Sequence, residues 1–309
     1  MSHPLGPDGS VELAVLERSG MAESRHLGAA VLVDADGRTV TALGDVGALV
    51  YPRSALKLLQ ATAVLATGVE LDDEQLVLAA ASHAGTARHV EVVERTLAGA
   101  GLGETALHCP FDWPMDADAR RAATAPRRIT MNCSGKHAAF LAASLHADWG
   151  TDGYLDPGHP LQRSIAATVE EHAGEHIAHR GVDGCGAPIA ALSLAGLARA
   201  TSRAVGNDGR LANAIRANAW ALDGAGRANT VTIEQTGLVA KLGAEGVLVL
   251  ATASGVAVAV KVLDGSARAT TRVAFELLVR EGLLAREVAE SVLAATSEPL
   301  YGGELRVAF

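Results

Sequence analysis

Cysteine, lysine and aromatic residues are all scarce in this 309-residue chain, which has three Cys, four Lys, three Trp, three Tyr and four Phe. Three cysteines in so long a chain build no disulfide framework, so a reducing, cytoplasmic compartment is the simplest expectation. With few aromatics, the core must come from Ala, Val and Leu. Positive charge is also short: 26 Lys+Arg face 35 Asp+Glu, for a net charge of -9. No long basic run provides a phosphate footprint, which argues against a nucleic-acid partner. The longest apolar stretch, Val247 to Leu263, is interrupted by Ser254, Gly255 and Lys261. It reads as two buried strands around a turn, and no membrane partner is expected. The polar start, Met1 to Ser10, lacks the basic and apolar segments of a signal peptide. What is plentiful is apolar residue, 49% of the chain, and glycine, 33 in all. That composition suits a single globular unit over residues 1–309, with room for two lobes.

The pattern along the chain predicts a mixed α/β fold. Val11 to Leu16 reads as a strand, and Ala29 to Val33 with Thr39 to Leu43 as a hairpin around Asp34–Gly37. Ser54 to Leu65 and Glu91 to Leu97 are apolar at helical spacing, with a buried run, Leu76 to Ala81, between them. Cys109 to Asp118 reads as an irregular connection. Helices are expected over Ala138–Leu145, Leu161–Ile177, Ala187–Ala200 and Leu211–Leu222. Val231–Lys241, Val247–Ala251 and Val256–Leu263 read as strands, and Val273–Gly282 and Glu287–Ala295 as closing helices. Strands at both ends and helices between imply an antiparallel sheet built from both termini with an inserted helical layer.

The four lysines, Lys57, Lys136, Lys241 and Lys261, stand out because every other basic residue is arginine. Arginine stays charged in a protein, whereas lysine gives up its proton when desolvated or set beside other cations. Lys57 follows Ser54 by three residues at a predicted helix start, so the two share a face. A neutral lysine there can take the serine proton, as in Ser-Lys acyl-transfer enzymes. A second segment, Asn132 to His137, gathers Cys133, Ser134, Lys136 and His137 around one glycine. A third, Asp183 to Pro188, sets Asp183 and Cys185 on a tight turn. Two thiolates and a nitrogen from separate loops suit zinc, although the spacing matches no standard zinc finger or ribbon. The alternative is that Cys133 and Cys185 are small buried residues behind a turn. Cys109, His83 and His89 read as structural, and Asp116 and Asp118 as solvated turn residues.

Taken in order, these segments resemble the rhizobial-type L-asparaginase family across nearly the whole chain. The resemblance runs through Arg18–His26, Tyr51–Gln60, Ala81–Gly85, Asn132–His137, Asp183–Pro188, Lys241–Gly246 and Lys261–Gly265. It implies a fold related to serine β-lactamases and penicillin-binding proteins, and hydrolysis of L-asparagine to L-aspartate and ammonia. It also implies two serine-lysine tandems, Ser54 with Lys57 and Ser82 with Lys261. A zinc ion held by Cys133, Lys136 and Cys185 and a homodimer follow from it too. Arg53 is the candidate partner for the substrate α-carboxylate and Asp183 for its α-ammonium, with His137 a further substrate contact. Two regions depart from the family pattern. Cys109 to Pro114 lacks a usual histidine, and Ala225 to Gln235 matches poorly. Rival readings are a glutaminase or β-lactam acylase on the same tandem, and a non-catalytic, zinc-dependent amino-acid binding protein. The absence of Ser-Asp-Asn and Lys-Thr-Gly motifs lowers the β-lactam reading.

Overall fold

The computed structural model describes residues 3–206 and 208–309; Met1 and Ser2 of the polar start, and Asn207, lie outside them. In chain order the elements are β1 (Val11–Arg18), β2 (Met21–Val33), β3 (Thr39–Leu43), β4 (Leu49–Val50), α1 (Lys57–Ala66), α2 (Asp73–Ala79), α3 (Ala87–Gly99), α4 (Ala117–Ala122), α5 (Ser134–His146) and α6 (Pro160–Ala173). Then follow β5 (His179–Val182), β6 (Pro188–Ser193), α7 (Leu194–Val205), α8 (Arg210–Ala217), α9 (Ala219–Leu222), α10 (Ala228–Thr236), β7 (Val239–Gly243), β8 (Val247–Ala251), β9 (Ala257–Val262), α11 (Thr270–Arg280), α12 (Arg286–Thr296) and β10 (Gly303–Val307).

The main sheet is antiparallel, in the order β10-β1-β2-β9-β8-β7, with β3 also paired to β2. Both chain ends therefore enter one sheet, and the helical layer is inserted between them, as the order of elements predicts. β2 and β3 are joined at the expected Asp34–Gly37 turn, where the Asp34 carboxylate accepts from the amides of Asp36 and Arg38. β8 is buried along its whole length, and β9 at every position but Lys261, so both faces of the sheet are covered at these two strands. α7 and α11 pack on these strands, while α1, α2, α3 and α5 pack on one another. One continuous cluster of buried Ala, Val and Leu links sheet and helices. Among the described residues no helix is long and apolar enough to cross a membrane.

Three expected elements differ. Leu211–Leu222 is not one helix but α8 and α9, parted at Asn218, whose φ of -131° and ψ of 45° are not helical. Ala187–Ala200 is not one helix but strand β6 followed by α7, because the Ser193 hydroxyl accepts from the Gly196 amide and starts the helix there. Val231–Lys241 is not one strand. Its first part belongs to α10, which ends at Gly237 in the left-handed region, and only Val239 onward joins the sheet. The β-branched Thr and Val residues that favour a strand are overridden by packing against α9, α12 and β7. Strands β5 and β10 had no distinct sequence signal.

Two glycines bring the functional segments together. A Cβ on Gly135, at the start of α5, would lie 2.7 Å from the Leu78 carbonyl of α2. A Cβ on Gly243, at the end of β7, would lie 2.5 Å from the Pro52 carbonyl, just ahead of Ser54. Gly135→Ala should therefore push α5 from α2 and destabilise the fold by about 1–3 kcal/mol. Thermal unfolding checks this, and an unchanged Tm would show that the close approach is dispensable.

Candidate active site

Arg53 to Leu56 form a turn of 3-10 helix that runs directly into α1, with Lys57 its first residue. Arg53 itself sits at φ 51°, a left-handed conformation uncommon for a side-chain-bearing residue. Nearly every face of α1 is covered, so Lys57 is only 1% exposed. A buried ammonium needs partners. The Lys57 amine finds them at the end of α2, donating to the Ala81 carbonyl at 2.6 Å and the Ser82 hydroxyl at 3.0 Å.

A second lysine reaches the same hydroxyl. Lys241, on edge strand β7 and fully buried, lies 2.9 Å from Ser82 Oγ and 2.9 Å from the Leu242 carbonyl. Burial, followed by the positive charge of Lys57, pushes the Lys241 amine down to about 7. Near neutral pH it can thus accept a proton from Ser82 while Lys57 donates one.

The predicted Ser82–Lys261 pairing is not formed. Lys261, on β9, donates instead to the carbonyls of Glu245 and Val262. Lys241 takes the place expected of it. Ser54 is partly exposed, and its hydroxyl makes no hydrogen bond among the described residues. It stands free, three residues before Lys57.

The Ser82 loop is tied down by its neighbours. The Ser82 amide donates to the Leu222 carbonyl at 2.9 Å and the His83 amide to the Asn132 carbonyl at 3.1 Å. His83 accepts from the Gly85 amide at Nδ1, so its Nε2 carries the proton donated to Ser134 Oγ at 2.9 Å. Burial keeps this imidazole neutral. His89 donates to the Trp220 carbonyl. Both histidines are buried and hydrogen-bonded within the fold. Asp116 caps α4, whereas Asp118, expected in a turn, lies in the first turn of that helix and pairs with Arg121 at the surface. The Cys109 thiol is buried, with its pKa raised to about 11 by desolvation, in keeping with a structural residue.

Cys133, Lys136, His137 and Cys185 form a buried group beside the serines. Lys136 Nζ lies 3.0 Å from Cys185 Sγ. Donation from Cys133, together with the Lys136 charge, holds the Cys185 thiol far below its usual range despite burial. Burial alone would lower the Lys136 pKa, but the Cys185 and Cys133 sulfurs outweigh it and raise it. His137 is pushed down to about 4 by burial; its Nδ1 meets the Tyr154 hydroxyl at 2.8 Å, and its Nε2 is buried with no partner. Among the described residues no three or more His, Cys, Asp or Glu side chains are arranged to hold a metal. The predicted set instead combines two thiols with an amine.

Two of the three expected substrate contacts, Arg53 and Asp183, face each other. Arg53 Nε lies 2.9 Å from Asp183 Oδ1, which also accepts from the Gly184 amide. A guanidinium and a carboxylate side by side present opposite charges to a zwitterion.

Hydroxyls, buried amines and a paired Arg–Asp gathered in one place make up the equipment of a hydrolytic enzyme. Residues 14–308 match the family described as L-asparaginase II, and the chain belongs to that family of L-asparagine-hydrolysing enzymes. No curated protein matches the sequence. Among solved structures, a β-lactamase from Mycobacterium bovis is similar over 86% of this chain and 94% of its own, at 15% identity and a TM-score of 0.44.

With only four lysines, the chain suits NMR titration of lysine side chains labelled with carbon-13. One signal, lost in Lys241→Arg, should titrate near pH 7. Four midpoints all close to the ordinary lysine value would contradict the burial argument.

Proposed function

We propose that the enzyme cleaves the side-chain amide of L-asparagine through an ester on Ser54, with Lys57, Ser82 and Lys241 as one proton relay. The observation that carries this reading is the Ser82 hydroxyl held between two buried amines. When Ser82 gives its proton to neutral Lys241 and takes one from Lys57, the neutral state passes to Lys57, three residues after Ser54 in the chain. Lys57 then accepts the Ser54 proton as Oγ bonds to the amide carbon. Backbone amides at the helix start stabilise the tetrahedral oxyanion. As the C–N bond breaks, the relay returns a proton to the nitrogen and ammonia leaves. Water then hydrolyses the aspartyl ester and restores the Ser54 hydroxyl. The unbonded Ser54 hydroxyl keeps its lone pairs for attack, whereas Ser82 already accepts from the Lys57 amine. Ser82 as nucleophile is a second reading, favoured by its closeness to both amines. Arg53 and Asp183 bind the α-carboxylate and α-ammonium, with His137 a further substrate contact.

Ammonia release from L-asparagine tests this assignment. Ser54→Ala should lower kcat by about four orders of magnitude or more. Lys241→Ala should lower it by about 10²–10⁴-fold, the usual worth of a proton-transfer group. Lys261→Ala should stay within about twofold of the parent, since it lies outside the relay. Near-normal turnover by Ser54→Ala would remove that residue from the chemistry and point to Ser82.

Cys133, Lys136 and Cys185 are also proposed as the holders of a zinc ion. Soft sulfur ligands, a buried amine and the orphaned Nε2 of His137 fit that metal. Bound zinc would supply a fixed positive charge and join the loops carrying Cys133 and Cys185. Because the amine must lose its proton to bind, occupancy should fall at acid pH. Elemental analysis should find about one zinc per chain, lost in Cys185→Ala together with some thermal stability. Equal metal content in parent and variant would contradict the site.

A further inference from the structure

Strand β7 is the outer strand of the main sheet, so every second backbone amide and carbonyl on its free side lacks a strand partner. Leu242 shows where those groups go. Its carbonyl accepts from Lys241 Nζ, and its amide donates to Asn229 Oδ1 at 2.8 Å. Asn229, at the start of α10, is itself held. Its backbone amide and side-chain Nδ2 both donate to Asp223 Oδ2, at 3.2 and 3.0 Å. The other oxygen of Asp223 accepts from Arg227 Nε at 2.6 Å, so the buried carboxylate is paired and bonded on both oxygens. Asp223 directly follows Leu222, whose carbonyl receives the Ser82 amide. An unbroken line of contacts thus runs from the backbone of Ser82, through Asp223 and Asn229, to the backbone that holds Lys241.

We propose that Asp223 and Asn229 are positioning residues that fix Ser82 and the Lys241 amine at proton-transfer distance. The clasp rests on the Ser82–Lys241 relay proposed above and adds the part that aligns it. It joins α9, α10 and β7, which the sheet ladder alone does not connect to the Ser82 loop. Neither side chain touches the reacting atoms. Both act by setting distance, to which proton transfer is steeply sensitive.

Asn229→Ala and the near-isosteric Asp223→Asn are measured by steady-state ammonia release from L-asparagine, with kcat expressed per folded enzyme from near-UV circular dichroism. Both variants should lose about 10- to 100-fold in kcat while KM stays within about twofold. A role confined to stability would instead lower the Tm and the folded fraction and leave kcat per folded molecule intact. That result, or a rise in KM at constant kcat, overturns the clasp. Lys241→Ala is run beside them. If it retains full turnover, the relay itself is wrong. If it is inactive while both clasp variants turn over normally, the clasp alone is wrong.

Discussion

A serine hydroxyl held between two lysines that water cannot reach is the constraint on which the rest of the structure turns. Placing Lys57 and Lys241 within 3.0 Å of Ser82 Oγ brings two like charges together in a buried site. The arrangement is tolerable only if one amine is neutral, and burial with mutual repulsion makes Lys241 the one to yield. Much of the surrounding architecture serves this cluster. Gly243 lets β7 press against the turn before Ser54, Gly135 seats α5 on α2, and the His83–Ser134 contact pins the Ser82 loop to the start of α5.

The same packing links the serine site to the sulfur cluster. His83 follows Ser82, and Ser134 follows Cys133, so one hydrogen bond joins the two centres. Lys136 and Lys241 show how environment divides identical side chains. Lys136 lies beside the Cys185 sulfur and is raised, whereas Lys241 lies beside another lysine and is lowered. A third charged arrangement is the Arg53–Asp183 pair, in which each group satisfies the other; it is the pair proposed above to meet the substrate's two charges.

Much of this was legible in the sequence. The scarcity of lysine marked its remaining positions, and three of the four prove to be at most 1% exposed. Ser54 stood out through its spacing to Lys57, and Ser82, Cys133, Lys136 and Cys185 through reactive residues set in glycine-bearing turns. The identity of the second lysine at Ser82 was not legible. Lys241 and Lys261 both sit in apolar strand-like runs, and which amine turns toward Ser82 depends on strand order in the sheet. Reading Val231 to Lys241 as one strand hid the break at Gly237 that turns the chain from α10 into β7. Asp223 and Asn229 carried no motif, and only the path of the chain after α9 reveals what they hold.

The most direct test of the central claim is to quench the enzyme in acid during turnover of L-asparagine and locate any ester by peptide mass spectrometry. The relay predicts an aspartyl ester on Ser54, absent from Ser54→Ala and formed far more slowly in Ser82→Ala, which lacks the hydroxyl that makes Lys57 neutral. Turnover with no ester on either serine, at any quench time, would contradict the account.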